Sequence, residues 1–131
     1  MKVLFISEYW EPHEQGGGEI SSKLIANGLA KNGVDVTVLT SYFKDSLEEE
    51  IRNGVKIYRK IKTGKNPKSF FSNIKRNLIL PMSIKKETKE LLKKVNFDII
   101  HYFNTNSALG KINTEKKTFV HVNSPVFFCP K

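Results

Sequence analysis

Three sets of residues have the types and spacing to do chemistry. The first is the run Gly16-Gly17-Gly18, followed by Glu19. A side-chain-free turn opening a helix presents backbone N–H groups and the positive end of the helix dipole, to which a phosphate can come close. The run is neither G-x-G-x-x-G nor G-x-x-x-x-G-K-[ST], because Gly18 leads into Glu19-Ile20. It is therefore neither a dinucleotide fingerprint nor a P-loop. The second set is His13, His101 and His121, no two of which have the short helical spacing of a zinc site. The third is Glu8, Glu11, Glu14 and Glu19. Paired carboxylates can cleave glycosides, but loop acids at irregular spacing read as solvated side chains. Glu19, in a first helical turn, complements the dipole.

The elements that must position these groups follow from the hydrophobic pattern. Lys2 to Ser7 is a short, continuous apolar run and reads as a buried strand. The loop Glu8 to Gly18 holds Pro12 and the glycines. Glu19 to Asn32 reads as a helix with Ile20, Leu24, Ile25 and Leu29 on its core face, and Gly33 is placed to cap its end. Val34 to Thr40 is a second strand, which completes a βαβ unit and predicts a parallel sheet. Glu48-Glu49-Glu50 reads as a loop or short turn. Val55 to Ile61 is a third strand, with Val55, Ile57 and Arg59 alternating against Lys56, Tyr58 and Lys60.

After a polar connection containing Gly64 and Pro67, Ser69 to Val95 is expected to be helical and broken near Pro81, since proline lacks the N–H and clashes with the preceding turn. Phe70, Phe71, Ile74 and Leu78 share one face before it; Ile84, Leu91, Leu92 and Val95 share one after it. Phe97 to Tyr102 and Lys117 to Val122 supply two more strands. The tail Asn123 to Lys131, with Pro125, Phe127, Phe128 and Pro130, reads as a cut end. The 131 residues suit one domain, and 39% hydrophobic content suits one core. Histidines at strand ends gain interest from this layout, because open α/β sheets bind ligands there. His121 ends a strand in this way; His101 does too, although Tyr102-Phe103 after it fits packing equally well. His13, in the loop, reads as a surface histidine that could meet an acceptor.

The formal net charge is +9. Such an excess attracts anions, though scattered lysines are also an ordinary solvated surface. Lys60, Lys62, Lys65, Lys68, Lys75 and Arg76 accompany Phe70 and Phe71, followed by Lys85, Lys86, Lys89, Lys93 and Lys94. The plainer expectation is a helix with its phenylalanines in the core and its lysines in water. The alternative is peripheral contact with an anionic membrane. A nucleic-acid role lacks a recognition helix or an aromatic RNP-like strand. Cys129 is the single cysteine, which rules out an intrachain disulfide and a cysteine-based zinc site. The N-terminal apolar run is shorter than a secretory h-region, and no run spans a bilayer. The default location is cytoplasmic.

Taken in order, Lys2 to Ser7, Tyr9, Pro12, Gly16-Gly17, Glu19, Leu24, Leu29, Gly33, Val36 and Val38-Leu39-Thr40 form one pattern. With Phe97-Asp98-Ile99-Ile100-His101 and Phe119-Val120-His121, it resembles the N-terminal domain of the family-4 (group 1) glycosyltransferases of GT-B architecture. The resemblance implies a Rossmann-like three-layer α/β fold with a mostly parallel sheet, which is the N-terminal half of GT-B. It implies a retaining transferase that uses a nucleotide-sugar donor and a glycan or lipid-linked acceptor, with no tightly bound cofactor and no required metal. Gly16, Gly17 and Gly18 would lie by the donor diphosphate, and His121 would orient the donor sugar as the catalytic candidate. His13, His101 and Asn104 are the acceptor-side candidates. The C-terminal donor-binding domain would be missing from residues 1–131, leaving this fragment inactive alone. The chain departs from the family pattern at Val34, where histidine is common, at Gly18, at Val122, and in the short stretch Asn104 to Lys116. A non-catalytic Rossmann-like binder of nucleotide or sugar phosphate is the alternative.

Overall fold

The computed structural model describes residues 1–63 and 70–122. The expected connection at Gly64 and Pro67 and the tail from Asn123 to Lys131, Cys129 included, lie outside the described residues, as does the side chain of Phe70. In chain order the elements are β1 (Lys2–Ile6), α1 (Gly17–Lys31), β2 (Asp35–Ser41), β3 (Glu49–Arg52), β4 (Val55–Ile61), α2 (Phe70–Lys94), β5 (Ile99–Tyr102), α3 (Thr105–Ala108) and β6 (Lys117–Val120). The strands form one sheet in the order β3-β4-β2-β1-β5-β6. All neighbours are parallel except β3, which runs antiparallel to β4 at one edge.

The central parallel strands β1 and β2 are buried on both faces, as such sheets require, whereas the edge strand β6 is largely exposed. Val3, Phe5, Val36, Val38 and Ile57 point to the side of α1 and meet Ala26. Leu4, Ile6, Leu39, Ile100 and Tyr102 point the other way and meet Leu80, Ile84 and Leu91 of α2. The result is a Rossmann-like three-layer α/β domain, as the βαβ pattern predicts.

Three local expectations change. The core face of α1 is not the bulky one. Ser22 and Ala26 are fully buried, with Leu29 and Ala30 packed beside them, while Ile20, Leu24 and Ile25 are exposed. Small residues let the helix lie close on the sheet. The acidic stretch is not a loop, since Glu49 and Glu50 belong to β3. Asn53 and Gly54, both at positive φ (52° and 79°), make the two-residue turn into β4, a left-handed pair that Asn-Gly is suited to. The helix α2 is not broken at Pro81, which lies inside it. Proline removes one backbone hydrogen bond there, and Leu80 and Ile84 on either side are buried against the sheet. Gly33 behaves as expected. At φ 85° it closes α1 with Gly33 N–H donating to Ala30 O and Val34 N–H to Leu29 O, each at 3.1 Å, which is a Schellman arrangement.

The helix α2 has 25 residues against strands of 4 to 7, so at about 1.5 Å per residue it overhangs the sheet. Among the described residues its buried positions begin at Leu80 and continue through Ile84, Thr88 and Leu91, whereas Phe71, Ile74 and Leu78 before them are exposed.

Gly110, just after α3, allows this helix to lie close. A Cβ built there would fall 2.4 Å from Ile84 Cβ and 3.1 Å from the Pro81 carbonyl oxygen. Gly110→Ala should therefore cost about 1–3 kcal/mol, as overpacking does. An unchanged urea midpoint would show that the α2–α3 contact yields freely.

Candidate functional site

The five parallel strands end along one edge, and the loops that follow them carry most of the candidate residues. The sheet order changes direction at β1, with β2 on one side and β5 on the other. Open α/β sheets bind ligands in the crevice outside the strand ends at such a switch point. The loop from Ser7 to Gly16 follows β1, and the segment from Phe103 through Asn106 follows β5.

Gly16 caps α1 in extended conformation (φ −174°, ψ −178°) without a side-chain cap. The helix begins at Gly17, two residues earlier than Glu19, so Gly17 and Gly18 form its first turn. A Cβ at Gly17 would meet nothing within 4 Å. The glycine is thus not needed for packing, and the first-turn N–H groups of this 15-residue helix carry no side-chain cap, as an oxyanion-binding helix start requires. Glu19 Oε2 lies 3.5 Å from the position a Cβ on Gly16 would take.

Glu8 corrects the reading of the loop acids as solvated: it is 1% exposed. Its backbone carbonyl oxygen accepts from Ser41 N–H at 3.3 Å, from Thr40 Oγ1 at 3.3 Å and from the Ser41 hydroxyl, which fixes the chain as it leaves β1. Its carboxylate pairs with Arg76 of α2 through Oε1 and accepts from Asn106 Nδ2 at 2.9 Å through Oε2. Tyr9 Oη lies 3.5 Å from Arg76 Nη2. Burial, then the Glu8 charge, pushes the Tyr9 hydroxyl above its ordinary pKa, so it keeps its proton. Glu11 and Glu14 are also engaged, both by Lys23 of α1. The hydrogen bond from Lys23 holds the Glu14 carboxyl below the usual range, against the burial that opposes it.

The same loop is tied down from β4. Arg59, 2% exposed, donates to Glu11 O at 2.7 Å and to Leu47 O at 3.0 Å, and pairs with Glu50 at 2.5 Å. His13 stacks on Phe43 (centroids 4.1 Å apart) and its Nε2 lies 3.0 Å from Asp45 Oδ1. Asn104 caps α3, its Oδ1 accepting from Ser107 N–H at 2.7 Å.

His101 and His121 come together with Phe103. The His101 ring stacks on Phe103 at 4.0 Å, and His121 lies 6.0 Å from His101 and 5.8 Å from Phe103. His121 follows β6, where its N–H donates to Tyr102 O at 2.8 Å, and it is exposed. His101 is half-buried, and burial, then His121, lowers its pKa. Among the described residues no group of three or more His, Cys, Asp or Glu is placed to hold a metal ion.

Of these groups, the sequence pattern reads Glu8 as a solvated loop acid, Arg76 as part of a basic stretch and Arg59 as a strand residue, and it does not single out Asn106. Two signals were present. Arg59 shares an alternation face with Val55 and Ile57, and Glu8 directly follows a buried strand. The partnership of Glu8 with Arg76, 68 residues away, has no sequence signature.

The sequence matches the family model Glycosyltransferase Family 4 over residues 15–123. A curated relative from Klebsiella pneumoniae, described as an uncharacterized 42.6 kDa protein in the cps region, is 30% identical over 121 residues, covering 84% of this chain and 31% of its own length. The fold is similar to that of a sucrose-phosphate synthase from Thermosynechococcus elongatus, with a TM-score of 0.70 at 19% identity, over 94% of this chain and 33% of that chain. The chain thus spans about a third of the length of each of these two proteins.

The lowered pKa of His101 carries a sign. The folded state binds this proton less readily than the unfolded chain, so the contribution is full above about pH 6.5. It is lost as pH falls from there through the folded pKa. A His101→Phe variant should show a flatter fall in urea midpoint between neutral and mildly acidic pH than the parent. Parallel curves for the two proteins would remove His101 as a source of the acid sensitivity.

Proposed function

Since the chain belongs to glycosyltransferase family 4, we propose that it is the acceptor-side, N-terminal domain of a retaining glycosyltransferase that moves a sugar from a nucleotide-sugar to a hydroxyl acceptor. The observation that carries this reading is the uncapped start of α1 at Gly16 and Gly17, beside the switch point of the sheet. The diphosphate of the donor lies against the first-turn N–H groups of α1. As the sugar leaves, charge builds on that diphosphate, and fixed backbone dipoles stabilise it without reorganising. His121 orients the donor sugar from the neighbouring strand end, and the acceptor hydroxyl attacks from the side of the leaving group. Basic groups of a C-terminal donor-binding domain complete the cleft, so the 131-residue chain alone does not turn over. No metal ion takes part.

A second reading concerns where the acceptor is met. The exposed apolar residues Phe71, Ile74, Leu78, Ile79 and Met82 lie in one stretch of α2, accompanied by Lys75, Lys85, Lys86 and Lys89. Between Phe70 and Lys86 there is no acidic residue. The expectation that this helix keeps its apolar side in the core fails at Phe71, which is 76% exposed. A helix with one face on the sheet and a second apolar face rimmed by lysines fits the surface of an anionic membrane. It supports peripheral contact at the inner, cytoplasmic face. Among the described residues no helix is long and apolar enough to cross a membrane.

Two measurements test these readings. In the full-length enzyme, Gly17→Ala should raise the donor KM about tenfold while the domain stays at least as stable, because alanine fits the helix better than glycine and meets no neighbour. His121→Ala should lower kcat about 10²-fold, the loss expected for one orienting donor. Wild-type kinetics in both variants would refute the placement of the donor. For the membrane, each basic residue near the surface contributes about 1 kcal/mol. Lys85→Gln with Lys86→Gln should then weaken binding to phosphatidylglycerol vesicles by roughly thirtyfold. Equal sedimentation of the chain with neutral and anionic vesicles would rule the contact out.

A further inference from the structure

Glu8, Arg76, Tyr9 and Asn106 form a second polar centre at the switch point, separate in composition from the glycine turn. They come from three segments: the end of β1, the overhanging half of α2 and the start of α3. Glu8 is 1% exposed, and each carboxylate oxygen has a partner, Arg76 on Oε1 and Asn106 on Oε2. It therefore has little left to offer a ligand. Arg76 keeps 24% of its side chain exposed, and both of its described hydrogen bonds run through Nη2. Tyr9 beside it is held in its protonated form and is engaged by both Glu8 and Arg76. What remains exposed is part of a guanidinium whose direction is set by the carboxylate behind it.

The geometry points to a phosphate-class oxyanion site in which Arg76 contacts the ligand, Glu8 is the positioning residue that aims Arg76, and Tyr9 packs beside the pair. Planar guanidinium groups bind phosphate oxygens through parallel N–H bonds when their orientation is fixed. Glu8 offsets the charge of Arg76, so the site selects by geometry more than by net attraction, and free phosphate should bind weakly. That the ligand is a phosphate on the acceptor rests on the transferase reading given above; the anion site itself does not. Such a phosphate could be soluble or carried on a lipid headgroup, since α2 bears both Arg76 and the exposed apolar stretch.

The test is a titration of the isotope-labelled chain with inorganic phosphate at constant ionic strength, followed by nuclear magnetic resonance. Saturable shifts are expected at the Arg76 side chain, the Tyr9 amide and the Asn106 side-chain amide. Arg76→Lys keeps the charge and loses the fork, and should reduce affinity about tenfold at these positions. The deciding variant is Glu8→Gln, close in shape and carrying one more net positive charge. A positioned site loses affinity several-fold in this variant, whereas a site that works by charge alone binds as well or more tightly, and that result would overturn the inference. Should Glu8→Gln fail to fold, Arg76→Lys and Asn106→Ala decide in the same way. Shifts confined to Gly17 and Gly18 would leave the diphosphate reading standing and remove this one. A second arm uses phosphatidylcholine vesicles with and without phosphatidic acid. Protection of Arg76 only by the phosphatidic acid vesicles assigns a lipid headgroup, saturation by inorganic phosphate assigns a soluble group, and neither response rejects the site.

Discussion

Arg59 holds the working edge of this domain together. Its guanidinium is buried at the end of β4, yet it serves three separate parts of the chain: the loop after β1 through Glu11 O, the segment before β3 through Leu47 O, and β3 itself through Glu50. A buried cation is tolerable only when its charge is met and its N–H groups are used. Removing one partner from such a pair typically costs about 3–5 kcal/mol, because the other is left buried and unmatched. The loop that Arg59 grips leads directly to Gly16, so the start of α1 depends on a side chain two strands away from β1 in the sheet.

The same edge shows a division of charge. The β1–α1 loop is acidic, but its carboxylates are spoken for: Glu8 by Arg76 and Asn106, Glu11 and Glu14 by Lys23. Left unpaired, they would repel a phosphate from the glycine turn. The outer side of α2 is basic and apolar, and its overhang places Arg76 across the crevice from the loop. A helix trimmed to the length of the strands would not reach Glu8.

Much of the fold was legible because it rests on local patterns. Continuous apolar runs mark β1 and β2, and Gly33 marks the end of α1, because only a residue at ease with positive φ closes a helix in that way. The strand β3 was misread as a loop or short turn, because its acidic sequence shows no apolar alternation, although Asn53-Gly54 marks the turn that follows it. Pro81 and the outward side of α1 were misread for a common physical reason. Both depend on how closely an element lies on the sheet, where Ser22, Ala26 and Ala30 give α1 a flat inner side and Leu80 and Ile84 hold α2 through its proline. Periodicity ranks residues by hydrophobicity and does not see fit.

The sequence by itself determined the alternation of strand and helix, the glycine turn at the head of α1, and the ordered motifs that place the chain in its family. Each is encoded within a few residues by backbone freedom or side-chain period. Only the tertiary structure decided which charges are buried and what they meet. Glu8 and Arg76 stand 68 residues apart, and whether a carboxylate beside a strand end is solvated or buried depends on what crosses over it. That is set by the length and lie of α2, which no local pattern of residues records.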